Sequence, residues 1–115
     1  MIEAAGTRTY YAGDTGYGPH FAAIRQRLGP PDLALLPIGA YEPRWFMKPV
    51  HMNPEEALEA CVELGAKVMV PMHYGTFRLS YEPLEEPPRR LLAAARCRGL
   101  EERVVWMREG GPQLF

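Results

Sequence analysis

The stretch Leu33-Ala34-Leu35-Leu36-Pro37-Ile38 is a continuous run of apolar residues. Gly29-Pro30-Pro31 precedes it and Gly39 follows it, so residues typical of turns and loops bound the run on both sides. A short apolar run bounded in this way is typical of a strand that is buried on both faces. We therefore predict a buried strand from Leu33 to Ile38.

A helix is predicted on each side of this strand. Pro19 suits the first position of a helix, because its missing N–H would be unpaired there, and apolar residues recur on one helical face from Phe21 to Leu28. Beyond the strand, Asn53-Pro54-Glu55-Glu56 combines a capping side chain, a proline in the first turn and two acids near the positive end of the helix dipole. Gly65 is expected to end this second helix.

Further strands and a third helix complete the predicted pattern. We predict strands from Arg8 to Ala12, from Lys67 to Pro71 and from Val104 to Met107, with Pro71 marking a strand end because it lacks an N–H. A helix from Arg89 to Arg98 separates the last two strands. The order β-α-β-α-β-α-β predicts an α/β fold over residues 1–115, with helices packed on one sheet.

Composition argues against a nucleic-acid partner and against a membrane-spanning segment, while peripheral contact with a membrane stays open. The chain carries 13 basic and 14 acidic residues and a net charge of −1, so it lacks the strong positive electrostatic potential that attracts nucleic acid. No apolar run approaches the ~20 residues that span a bilayer, and Met1 to Thr9 lacks the architecture of a signal peptide, so we expect a cytoplasmic location. The densest basic cluster is interpreted as a solvated helix face rather than a phosphate site, and it comprises Arg89, Arg90, Arg96 and Arg98.

Polar side chains follow the predicted strands. Asp14 comes after the first strand and His73 after the third, and functional groups of α/β sheets gather outside the carboxyl ends of strands. Taken alone, Asp14 also fits a turn former and His73 a hydrogen-bonded structural histidine. Their joint placement predicts a shared cleft, where a carboxylate and a neutral imidazole are common zinc ligands.

The other two histidines are treated differently. His51 lies late in the long loop from Gly39 to Met52. A role at the same edge, as a metal ligand, an acid or base, or a group that supports the ligands, fits it about as well as a plain surface position does. His20 stands at the start of a predicted helix and is given no role in the site.

The same long loop carries an unusual density of large apolar side chains. Trp45, Phe46 and Met47 follow one another directly after Tyr41-Glu42-Pro43-Arg44. Loops seldom expose such a patch without something to cover it. Two interpretations stay open, namely a lid folded on the core, or a functional surface that is either a wall for an acyl chain or a region that touches a membrane.

Four strings together resemble the family of N-acyl-phosphatidylethanolamine-hydrolysing phospholipase D and its bacterial relatives, within the metallo-β-lactamase superfamily. The string Ile38-Gly39-Ala40-Tyr41-Glu42-Pro43-Arg44-Trp45-Phe46-Met47 is highly specific, whereas Gly13-Asp14-Thr15-Gly16 is shared more widely across the superfamily. The remaining two strings begin at His51 and at His73. The resemblance runs from about Ile2 to Arg108.

The resemblance implies a zinc-dependent phosphodiesterase that releases N-acylethanolamine and phosphatidic acid, with bacterial relatives able to act on other esters. Asp14 would bridge two zinc ions, His73 would be a ligand of the second zinc, and His51 would be a catalytic group near the substrate phosphate. Tyr41, Trp45, Phe46 and Met47 would contact the substrate. The implied fold is a sandwich of two mixed sheets with helices on both outer faces, of which this chain would be the C-terminal half.

One departure from the family pattern shapes the functional expectation. The chain has three histidines and no His-x-His-x-Asp-His motif, nor the family's further histidine ligand before the Gly-Asp-Thr-Gly turn. A dinuclear zinc site takes roughly three or four protein ligands per metal, so we expect the isolated chain to be inactive and to need an N-terminal half as partner. The alternative is a non-catalytic half-domain that self-associates as a homo-oligomer through its uncovered sheet face. A small α/β domain with coincidental motifs is a third hypothesis.

Overall fold

The predicted strand from Leu33 to Ile38 forms an inner strand of a four-stranded sheet in the computed structural model, which describes all 115 residues. The strand order is β1-β2-β3-β4, with β1 antiparallel to β2 and the remaining neighbours parallel. The elements are β1 (Ile2–Ala4), β2 (Thr7–Tyr11), α1 (His20–Leu28), β3 (Leu33–Pro37), α2 (Arg44–Met47), α3 (Pro54–Leu64), β4 (Val68–Met72) and α4 (Glu86–Cys97), followed by a 3₁₀ turn at Glu101–Arg103.

The two faces of the sheet differ in what covers them. Tyr10, Ala34 and Met69 are in register across β2, β3 and β4, and all three are buried in one core with Phe21, Leu58 and Leu91 of the three long helices. The next row, Thr9, Leu33 and Val68, points the other way and stays partly exposed. The helices therefore lie on one face, and on the opposite face Val70 is buried while Leu33 and Val68 are only partly covered by this chain.

The second predicted helix is confirmed with its start and stop signals. The Asn53 side chain accepts a hydrogen bond from the Glu56 N–H at 2.8 Å, and the Glu56 carboxylate accepts one from the Asn53 N–H at 3.1 Å, which completes a capping box. Gly65 ends α3 in the left-handed conformation, with φ of 69°.

The start predicted for the third helix and the strand predicted after it were wrong. Helix α4 begins at Glu86 rather than at Arg89, because Pro87 and Pro88 fall in its first turn, where a proline costs no helical hydrogen bond. The strand predicted from Val104 to Met107 is reduced to a single bridge between Met69 and Val104.

Pro71 explains why that last strand is so short. The Val105 N–H donates to the Met69 carbonyl at 2.9 Å. The next rung of a parallel ladder would need a donor from residue 71, and proline has none. Pro71 thus limits pairing at the outer edge of β4, although it lies one residue inside the strand instead of at its end.

The arginine cluster on α4 forms the charged surface that was predicted. Arg90, Arg96 and Arg98 pair with Glu55, Glu101 and Glu59 at 2.7, 3.1 and 2.6 Å. None of the helices is both long and apolar enough to cross a bilayer.

Candidate metal centre

Asp14, His51 and His73 converge at one edge of the sheet. Their potential ligand atoms all lie within 4.8 Å of one another. His73 Nε2 lies 3.5 Å from Asp14 Oδ1, and the rings of His51 and His73 stack with centroids 5.3 Å apart. The predicted convergence of Asp14 and His73 is confirmed, because β2 and β4 are both parallel to β3 and their carboxyl ends meet at the same edge.

Close backbone packing fixes the position of His73. Its φ is +60°, a left-handed conformation that a residue with a side chain adopts at a cost of about 1 kcal/mol or more. The His73 carbonyl oxygen lies so close to Gly39 that a Cβ at position 39 would overlap it. The end of β3 and the start of the loop after β4 therefore pack backbone against backbone, as only glycine at position 39 allows.

A different set of contacts holds His51. Arg44 Nη1 donates to the His51 carbonyl at 3.2 Å, while Arg44 Nη2 makes two contacts with the Glu56 carboxylate at 2.9 and 2.7 Å. Glu56 belongs to the capping box of α3, so the loop that carries His51 is tied to the start of that helix. The sequence indicated Glu56 as an acid near the positive end of the helix dipole. It gave no signal for the pairing of Glu56 with Arg44, which lies in the preceding loop.

The environment of His51 favours its neutral form. Burial lowers the pKa of His51, and the nearby His73 lowers it further, against the opposing effect of Asp14. The Nδ1 atoms of His51 and of His73 are buried without a hydrogen-bond partner in this chain. A neutral imidazole is the form that binds a metal or accepts a proton.

The donor set fits a divalent cation such as zinc. Ligand atoms held about 2.1 Å from a tetrahedral zinc lie about 3.4 Å from one another. The 3.5 Å between Asp14 Oδ1 and His73 Nε2 matches this spacing, and the potential ligand atom of His51 lies within 4.8 Å of both. Asp14 and His73 could therefore bind one cation without rearrangement, with His51 beside it.

The aromatic segment divides between core and surface. Tyr41 is fully buried, its hydroxyl donates to Glu86, and the guanidinium of Arg90 lies 4.8 Å from its ring centroid. A side chain with no exposed surface cannot contact a substrate, so the expected substrate contact at Tyr41 is corrected to a packing role. Trp45 and Phe46 are 84% and 64% exposed on α2, and Met47 is half-buried.

His20 lies outside this group of potential ligands. Its ring packs on Phe21 with centroids 4.1 Å apart, and its Nε2 lies 3.2 Å from Thr15 Oγ1.

A cavity beside His73 was not predicted. It has a volume of about 280 Å³ and runs from Gly39 and His73 along the loop before α4, past Phe77 and Leu84. Glu82 lies in the wall of this cavity and is the one charged residue that is buried. The sequence marked this segment only as a loop, and the pairing of Glu82 with residues some 40 positions earlier carries no local signature.

Comparison with known proteins shows the family to which the chain belongs. A family model described as "Beta-lactamase superfamily domain" matches residues 1–74, which is more than half of the chain. The chain therefore belongs to the metallo-β-lactamase superfamily.

The chain is similar to two proteins that are named for the same phospholipase activity. The chain is 51% identical over 71 residues to N-acyl-phosphatidylethanolamine-hydrolyzing phospholipase D 1 of Caenorhabditis elegans, covering 61% of the chain and 20% of that protein. It is 40% identical over 108 residues to the mitochondrial N-acyl-phosphatidylethanolamine-hydrolyzing phospholipase D of Saccharomyces cerevisiae, covering 92% of the chain and 23% of that protein.

A solved structure supports the same fold. The metallo hydrolase Igni18 of Ignicoccus hospitalis matches with a TM-score of 0.61 and 34% identity, over 85% of the chain and 37% of that structure. The chain spans only 20% and 23% of the lengths of the two phospholipase D relatives.

Proposed function

We propose that the chain is the part of a metal-dependent hydrolase that supplies Asp14 and His73 as metal ligands and His51 as a catalytic group. The observation that carries the proposal is the convergence of these three side chains within 4.8 Å at the carboxyl ends of the strands. Carboxylate and imidazole are the donor types that zinc takes in catalytic sites, with an open position left for water or substrate.

For the complete enzyme we propose a phosphodiester of the N-acyl-phosphatidylethanolamine type as substrate. Support comes from the activity for which the two phospholipase D relatives are named, at 51% and 40% identity. In the reaction a bond forms between a water oxygen and phosphorus, and the bond from phosphorus to the ethanolamine oxygen breaks. The proton of the water ends on the departing N-acylethanolamine, and phosphatidic acid remains.

The chain's own residues would divide this work. When bound, the metal would supply a water of lowered pKa and stabilisation of developing negative charge. Asp14 and His73 would hold it, which is why their side chains must stay close together. His51 is neutral near pH 7 because its pKa is lowered by burial and by His73, so its imidazole can bond to a phosphate oxygen or move a proton.

Trp45 and Phe46 suggest how a lipid substrate would be met. They lie on α2, shortly before His51 in the sequence, and most of the surface of each side chain is exposed. Aromatic side chains of this kind favour the interface of a bilayer. We propose peripheral contact with a membrane at this corner, next to the catalytic edge.

The test of the ligand assignment uses metal binding. Zn²⁺ affinity of the chain should fall at least tenfold in Asp14→Asn and in His73→Ala, because each removes one of the few ligands. His20→Ala is the matched control, since it removes a histidine that lies outside the group, and its affinity should equal that of the wild type. Equal affinity in all variants, or no binding by the wild type, would reject the assignment.

Activity tests the second part of the proposal. We expect the 115-residue chain alone to leave N-acyl-phosphatidylethanolamine intact, because three potential ligands cannot complete a two-metal site. Adding a polypeptide with the His-x-His-x-Asp-His motif of the family should restore release of N-acylethanolamine, detected by mass spectrometry. Full turnover by the isolated chain would contradict this expectation.

The uncovered sheet face favours a second candidate function, a non-catalytic half-domain that self-associates. The row Thr9, Leu33 and Val68 is partly exposed, and Tyr11 on the same face is 59% exposed. A second copy of the chain, or an N-terminal half, would bury it. Sedimentation at micromolar concentration tests this second candidate function, because a stable monomer would argue against self-association of the chain.

A further inference from the structure

Glu82 holds together the two loops that meet behind the candidate metal centre. It lies in the loop between β4 and α4, and only 8% of its surface is exposed. A buried carboxylate is costly unless hydrogen bonds compensate it, so the partners of Glu82 show what its charge is used for.

The carboxylate binds consecutive backbone donors of the loop after β3. Glu82 Oε1 accepts hydrogen bonds from the N–H of Ala40 at 2.6 Å and of Tyr41 at 3.2 Å, and Oε2 accepts one from the N–H of Glu42 at 3.1 Å. The Ser80 hydroxyl donates to Oε2 as well. Four donors thus fix both oxygens, and hydrogen bonds to a charged acceptor are among the stronger ones in proteins.

The position of this loop decides where His73 lies. Gly39, the residue before Ala40, packs against the His73 carbonyl without room for a side chain. The Ile38 N–H donates to the Met72 carbonyl at 3.0 Å, one residue before His73. Ala40 itself has a left-handed φ of 62°, a conformation that needs external support.

From these contacts we propose that Glu82 is a positioning residue that sets the place of the His73 imidazole through the backbone of Gly39 to Glu42. Glu82 does not touch the ligands itself. Loss of its charge would let the loop after β3 relax, and the backbone of His73 would move with it. The metal readout below rests on the proposed function, whereas the readout on the His73 ring does not.

The test compares the wild-type chain with Glu82→Gln and Glu59→Gln. Glutamine keeps the shape of the side chain but replaces one acceptor oxygen by an NH₂ group, which cannot accept the bonds made there. Glu59 pairs with Arg98 at 2.6 Å on the outer surface of the helices, so Glu59→Gln controls for the loss of a carboxylate elsewhere. Zn²⁺ affinity is measured by competition with a chromophoric chelator while circular dichroism verifies folding, and His73 ring signals are recorded by NMR without metal.

We expect Glu82→Gln to weaken Zn²⁺ binding by about tenfold or more and to move the His73 ring signals, with no such change in Glu59→Gln. A purely structural role would lower the melting temperature and leave both readouts of the folded variant unchanged, which overturns the proposal. One unchanged readout overturns it too. If the wild type binds no Zn²⁺, the proposed function fails. The His73 ring signals then decide by themselves whether Glu82 positions His73, and unmoved signals overturn that proposal. If Glu82→Gln does not fold, Ser80→Ala, which removes one of the four donors, replaces it under the same criteria.

Discussion

The carbonyl oxygen of His73 occupies the space into which a side chain at Gly39 would project. The two residues lie 34 positions apart, yet they pack backbone against backbone at the candidate metal centre. This contact joins the carboxyl ends of β3 and β4 more closely than side-chain packing could. Several expectations depend on it and on the neighbouring loops.

Gly39→Ala should destabilise the chain by about 1 to 3 kcal/mol or more, because the new methyl group overlaps backbone that cannot rotate away. Urea unfolding measures the loss. Gly111→Ala is the control, since Gly111, like Gly39, does not have a positive φ, and an added methyl group there would meet Arg108 only at ordinary contact distances of 3.4 and 3.5 Å. Both variants lose the conformational freedom of glycine, and only Gly39→Ala should also weaken Zn²⁺ binding. A Gly39→Ala chain as stable as Gly111→Ala would contradict the packing described here.

Arg44→Lys should destabilise the chain by about 1 to 3 kcal/mol, because one ammonium group cannot replace both contacts with Glu56 and the bond to the His51 carbonyl. The His51 ring signals should move in NMR spectra. Arg98→Lys provides the comparison, since its partly exposed pair with Glu59 should contribute less than about 1 kcal/mol. Equal losses in the two variants would show that Arg44 has no special part in holding the loop.

Asn53→Ala should cost about 1 kcal/mol of unfolding free energy, because the N–H of Glu56 loses its acceptor at the start of α3. Asn53→Ser keeps an acceptor at the same position and should restore most of the loss. Chemical denaturation of the three proteins gives the values. An alanine variant as stable as the serine variant would mean that the capping bond contributes nothing.

The contribution of Glu82 to stability should depend on pH. Burial alone would raise the pKa of Glu82, but hydrogen bonds from Ser80 and from the backbone of Glu42 and Ala40 outweigh it and lower the pKa below its ordinary value of 4.5. The unfolded chain then binds a proton at a higher pH than the folded chain. The stabilisation is therefore complete above about pH 4.5 and is lost as the pH falls through the lower pKa of the folded state.

The comparison with Glu82→Gln isolates this effect. The difference in unfolding free energy between wild type and variant should be constant near neutral pH and should shrink as the pH is lowered below 4.5. Denaturation series between pH 7 and pH 3 measure it. A difference that stays constant over the whole range would show that the charge of Glu82 is not what stabilises the fold.

Much of the fold and part of the site could be predicted, because their signals are local. Asn53 and Gly65 mark the ends of α3 through hydrogen bonds within a few residues, and the strand ends before Asp14 and His73 follow from short β-prone runs. Parallel pairing then brings those ends together by topology alone, without knowledge of any side-chain contact.

The parts that were missed depend on contacts between distant segments. The burial of Tyr41 follows from its position under Arg90, and the anchoring of the loop after β3 follows from Glu82, both more than 40 residues away in sequence. Prolines misled the prediction twice. Pro87 and Pro88 start a helix instead of preceding one, and the effect of Pro71 falls on a neighbouring segment.

Pro71 has a consequence for the behaviour of the molecule in crowded or concentrated conditions. An outer strand with a full row of free donors and acceptors is a template on which strands of other molecules can assemble into aggregates. The missing N–H of Pro71 interrupts that row after Met69, whose carbonyl is already taken by Val105. We therefore expect this rim of the sheet to resist fibril-like stacking, and we expect replacement of the proline with a β-branched residue to favour such growth.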